Sequence, residues 1–297
     1  MAKKKNVFTH DLESSLRHLS DLFHASSTGS WIVTQAVKLG RTKLGEARAS
    51  GKRAYPNGVF GLDTKMPIPD YAKEGRFLTY HAYDPRGSQD EGLLTLAEEM
   101  ERRLQGQMLC AAFEDAERYL KSTAAHCFFQ LRTGGGDRRP ALPFHKNEFH
   151  RRHSKWRQEK YRGQAGTLPY FRDYVGFHYR DGMLAFLDEL LEGLPLSKES
   201  SEYEWGLAKS WTDYRPIEFA RHRLVHAFGT YETESANRLG KVAQQRIREM
   251  TSTSILTGQR TLLPTQKEVS RNIERLAGMV LHVHRGLSDA FSMQAAR

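Results

Sequence analysis

Cysteine is scarce in this chain, with Cys110 and Cys127 the only two. That excludes a disulfide-stapled small scaffold, and the pair lacks the spacing of a zinc site. Both fall inside apolar helical runs, so buried thiols in a reducing compartment are expected. Long apolar runs are missing as well. No stretch approaches the roughly 18 apolar residues that a membrane span needs. The opening MAKKKNVFTHDLESS carries positive charge with no apolar run behind it, so no secretory leader is expected there. No segment repeats another, and no helix-turn-helix spacing points to a DNA-binding regulator. The expectation is a cytoplasmic protein with no membrane partner.

What the chain has is positive charge, a formal +10 at pH 7 with an isoelectric point near 9.6. A basic surface favours phosphate-rich partners through counterion release, without carrying sequence information. The charge is concentrated in HKNEFHRRHSKWRQEKYR, residues 145–162. There Arg151, Arg152, Lys155 and Arg157 stand among Phe149, Trp156 and Tyr161. Aromatic rings stack on bases while cations follow the backbone, which suits single-stranded nucleic acid. The alternative is a solvated basic helix whose aromatics face the core. His145, His150 and His153 have no Cys or carboxylate pattern beside them, so neither a metal nor another cofactor is expected.

Organisation follows from punctuation and periodicity. A short amphipathic segment (Val7, Phe8, Leu12, Leu16, Leu19, Leu22, Phe23) leads into HASSTGS, which reads as a loop. Residues 31–90 are rich in Gly and Pro, with brief strand-like pieces such as RFLTYHAY. Residues 1–90 therefore read as an irregular N-terminal extension. From residue 91 to 297 the pattern is helical. Apolar residues recur every three or four positions from EGLLTLAEEM through FFQLR, with Gly106 as a kink or join. TGGGDRRPALP is a break, and a second helix starts near Pro169 and stops at Gly193 and Pro195. A third has Thr212 or Asp213 as its cap, Pro216 in its first turn and Gly229 as its stop. TQKEVSRNIERLAGMVLHVHRGLSDAF forms the last. The expected fold is all-α, a bundle of four to five helices behind an irregular extension.

One stretch of the third helix needs a chemical reading. ARHRLVHAFG (220–229) holds Arg221, His222, Arg223 and His226 around Leu224 and Val225. Arg followed by His after four intervening residues also occurs by chance, as at Arg76 and His81 in the strand-like RFLTYH. In a helix, five residues turn through about 500°, so Arg221 and His226 point some 140° apart. His222 and His226, four apart, share a face. Spacing alone favours the blander reading, with His226 a satisfied core or interface histidine and Arg221 a solvated surface residue.

RHRLVHAFG resembles the signature of the HEPN superfamily: Arg, a polar residue often Asn or His, three variable residues, then His. Arg221, His222 and His226 occupy those positions. LCAAFEDAERYLKS (109–122) is similar to the family's early acidic helix, and the order of the two also matches. The branch paired with nucleotidyltransferases carries Tyr two residues after the final His, where this chain has Phe228. The resemblance covers about residues 91–295 and implies an HEPN-like bundle. It further implies a metal-independent endoribonuclease, a toxin or antiphage-defence effector cutting RNA at a homodimer cleft, with an antitoxin or sensor protein as a further partner. In that reading Arg221 grips the phosphate, because its planar fork offers paired donors and keeps its charge. His226 and His222 move protons, since an ordinary imidazole titrates near 6.5. Glu114 or Glu117 orients them, although Glu117 could simply pair with Lys121 one turn on. The other reading the resemblance leaves open is a non-catalytic module that binds RNA or protein.

Overall fold

The structure, a computed structural model, describes residues 7–50, 66–69, 77–80, 90–133, 167–178, 207–254 and 258–290. Seven helices lie among them: α1 (Val7–Ala49), α2 (Asp90–Thr133), α3 (Leu168–His178), α4 (Leu207–His226), α5 (Thr233–Asn237), α6 (Lys241–Glu249) and α7 (Gln266–Ala290). Two short antiparallel hairpins accompany them, β1 (Met66–Pro69) with β2 (Phe77–Tyr80), and β3 (Thr251–Thr253) with β4 (Arg260–Leu262). The described chain is thus predominantly helical, and the strand expected within RFLTYHAY is β2. None of its helices is long and apolar enough to cross a membrane.

The N-terminal reading needs correction. Residues 7–49 form one continuous helix, with no loop at HASSTGS. Leu19 and Phe23 of α1 are buried in the same core cluster as Leu109, Phe113 and Leu120 of α2 and Val280 and Val283 of α7. Further along, the face that α1 turns to α2 is small and hydroxylated. Ser26, Ser30 and Thr34 are buried there. Ser30 Oγ donates to Gln105 Oε1, Gln105 Nε2 donates to the Ser30 carbonyl at 2.8 Å, and Thr34 Oγ1 donates to Glu101 Oε1 at 2.6 Å. A seam of Ser, Thr and Gln carries no hydrophobic period, which is why the sequence reads as a loop.

Other boundaries shift for physical reasons. Gly106 is no kink: α2 runs through it, and a Cβ there would meet Leu224 Cδ2 of α4 at 3.0 Å. The glycine lets two helices approach. Helix α4 begins at Leu207, well before the expected cap, and carries Pro216 inside it. Its end is where Gly229 places it. Phe228 (φ 50°) and Gly229 (φ 83°) take left-handed backbone, and the Gly229 N–H donates back to the Arg223 carbonyl at 2.8 Å. Gly229 also receives β4, its carbonyl accepting from the Leu262 N–H at 3.0 Å. A Cβ at Gly229 would sit 2.9 Å from Thr261 Cγ2, so no side chain fits.

Helix α7 opens with a reciprocal cap. The Thr265 N–H donates to Glu268 Oε2 at 2.6 Å, and the Glu268 N–H donates to Thr265 Oγ1 at 3.4 Å. It buries Val269, Ile273, Leu276, Val280 and Val283, spaced four, three, four and three. Tyr119 Oη and His284 Nδ1 pair at 2.8 Å inside this core. Cys110 and Cys127 are buried free thiols as expected. Burial pushes Cys110 up to about 11, helped by the Glu114 carboxylate, and raises Cys127 as well. The expected end of the second helix at Gly193 and Pro195 lies outside the described residues.

Candidate active site

Helices α2 and α4 meet around an open pocket of about 450 Å³. The helical repeat decides which residues reach it. On α2, Phe113, Glu117 and Lys121 are spaced by four, and all three line the pocket. On α4, Arg215, Glu218 and His222 follow the same logic, with Arg221 beside them. Phe219, Arg223 and Leu239 complete the wall. Behind it, the Phe113 and Tyr214 rings lie 5.2 Å apart, and the buried Tyr214 hydroxyl has no hydrogen-bond partner among the described residues.

The structure brings the two motifs together. Arg221 Nη2 donates to Glu114 Oε1 at 3.2 Å, while the Arg221 Nε is buried without a partner among the described residues. Glu117 pairs instead with Lys121 at 3.3 Å, one turn along its own helix. His222 lines the pocket. His226 does not, standing exposed outside it with its ring centroid 4.9 Å from that of His222. The 140° between Arg221 and His226 therefore separates them on α4, and His222 bridges the gap. Leu224 packs toward Gly106, whereas Val225 is exposed, so the apolar pair within the motif serves two different faces. Arg151, Arg152, Lys155, Trp156 and Arg157 lie outside the described residues.

Two members escaped the sequence reading, Glu218 and Arg215. The signal available was spacing: Glu218, Arg221 and His222 fall at i, i+3 and i+4 on one face. Among the described residues no hydrogen bond or ion pair reaches Glu218. Burial pushes its carboxyl up to about 7, with the Glu117 carboxylate adding to the rise and Arg215 and Arg221 opposing it. His222 moves the other way. Partial desolvation lowers it first, then the charges of His226, Arg223 and Arg221. Arg223 itself lies over the Phe219 ring, 5.3 Å from its centroid. Among the described residues no group of His, Cys, Asp and Glu is arranged to hold a metal ion.

The pocket thus holds a permanent cation, an imidazole lowered from its ordinary range and a carboxyl raised from its own within one helical turn. That set can grip an oxyanion and move protons on either side of it. Comparison of the chain with protein-family models, curated proteins and solved structures returns no match.

Proposed function

We propose that this protein is a metal-independent endoribonuclease of the HEPN type, a toxin or antiphage-defence effector acting in the cytoplasm. The Arg221–Glu114 contact carries the reading, because it joins the acidic helix and the Arg–His helix at the wall of one open pocket. Cleaving RNA without a metal requires deprotonating the ribose 2′-hydroxyl, stabilising a crowded phosphorane and protonating the departing 5′-oxygen. Arg221 meets the phosphate, and the His222–His226 pair serves the removal of the 2′-hydroxyl proton. The basic charge of the chain draws RNA toward it. A homodimer agrees with the exposed apolar side chains beside the motif, Val225 at 47% and Phe228 at 83% exposure. An antitoxin or sensor protein remains part of this proposal on the resemblance alone.

Labelled RNA incubated with the purified protein in EDTA tests it. Wild type cuts, and His226→Ala loses at least about 10²-fold in rate. Its melting temperature stays nearly unchanged, because an exposed imidazole contributes little to the core. Intact RNA with wild type, or equal cutting by the variant, sinks the proposal. One observation favours the second reading, a module that binds RNA or protein without cutting: Arg221 is already engaged by a carboxylate. RNA affinity with unchanged RNA ends is its signature.

A further inference from the structure

The proposed reaction needs two proton-transfer groups near the phosphate, and beside His222 the pocket contains one that the Arg–His motif does not name, Glu218. Glu218 and His222 lie four residues apart on α4, both lining the pocket, with Arg221 between them in sequence. At that spacing their Cβ atoms stand roughly 5–6 Å apart, enough to flank one phosphorus. Arg221, which lines the same pocket, carries the charge that would hold its oxygens.

We propose that Glu218 is the general acid of the reaction and His222 the base. This rests on the ribonuclease reading. His222 takes the proton from the 2′-hydroxyl as the O2′–P bond forms. Glu218 gives its proton to the 5′-oxygen as the P–O5′ bond breaks. The products are a 2′,3′-cyclic phosphate and a 5′-hydroxyl, with an imidazolium and a carboxylate left behind. Solvent returns both to their starting states. No oxidant, reductant or metal enters the balance.

The surroundings explain why the roles fall this way round. Glu218 faces Glu117 and Lys121 from α2, and Arg215, Arg221 and His222 from its own helix. No charged residue of α5, α6 or α7 lines the pocket. Glu117 is spoken for by Lys121 and Glu114 by Arg221, so Glu218 is the pocket carboxyl without an ion-pair partner among the described residues. Half-buried beside a second carboxylate, it keeps its proton toward neutral pH, while partial desolvation and then the charges of His226, Arg223 and Arg221 lower His222 below its ordinary range. Environments that push two groups apart in this sense assign one as acid and the other as base. His226, with its ring against His222, acts as a positioning residue for the base.

A leaving-group substitution tests this on the full-length protein. RNA with a 5′-bridging sulfur at the scissile phosphate expels a thiolate that needs no proton. On ordinary RNA, E218Q should lose about 10²-fold or more in kcat with KM nearly unchanged. On the sulfur substrate it should return to within a few-fold of wild type. H222A should remain slow on both. The falling limb of the wild-type pH profile near 7 should vanish in E218Q. Equal impairment of E218Q on both substrates makes Glu218 structural and overturns the assignment while the nuclease reading stands. Full activity of E218Q on ordinary RNA overturns it too. If wild type cuts neither substrate, the nuclease reading itself falls and takes this assignment with it.

Discussion

Arg221 and Glu114 lie 107 residues apart in the chain and 3.2 Å apart in space. The pair is exposed enough, at 28% and 46%, that it contributes at most about 1 kcal/mol to stability. Its consequence is geometric. A carboxylate on one side of the guanidinium fixes which edge remains for an anion.

Arg221→Lys should therefore damage activity far more than stability. An ammonium cannot offer paired donors to a phosphate, and losing such a contact costs about 1.5–3 kcal/mol, roughly ten- to a hundredfold in rate. Steady-state cleavage and thermal melting check this together. Full activity in the lysine variant demotes Arg221 to a surface charge.

Phe23→Ala should show that α1 belongs to the bundle. Phe23 is buried in the core shared with α2 and α7, and truncating a buried phenylalanine costs roughly 3–5 kcal/mol. The expected result in calorimetry is one cooperative transition at a lower temperature. An unchanged main transition means that α1 docks independently of the rest.

Glu218 should leave its mark on stability as well as on rate. Its carboxyl rises from an ordinary 4.5 to about 7 on folding. Between those values the folded chain holds a proton that the unfolded chain has lost. Stability from this group is complete below 4.5, declines as pH rises toward 7 and is level above. Glu218→Gln removes the effect, so its melting temperature should gain on wild type between pH 5 and pH 8. Parallel curves for the two proteins contradict the shift.

Residues 145–162 offer a test that needs no structure. Neutralising Arg151, Arg152, Lys155 and Arg157 removes four positive charges. Each lost contact to single-stranded phosphate should flatten the salt dependence of RNA binding by about 0.7 in log–log slope. The rate at saturating RNA should survive. Unchanged binding at low and high salt reduces the stretch to a solvated surface.

The sequence by itself determined the helical class, the end of α4 and the members of the Arg–His motif. Each rests on local physics. A 3.6-residue apolar period makes α7 legible, and Gly229 can be read as a stop because glycine takes left-handed backbone without a steric cost. What it hid was whatever depends on a distant partner. Ser30 and Thr34 look like loop residues until Gln105 and Glu101 arrive to satisfy them, 75 and 67 residues away. Gly106 looks like a break until Leu224 occupies the space above it. Only tertiary structure chose Glu114 over Glu117 as the partner of Arg221 and brought Glu117 up to a half-buried Glu218, because burial and charge proximity across α2 and α4 are properties of packed helices and not of any one helix.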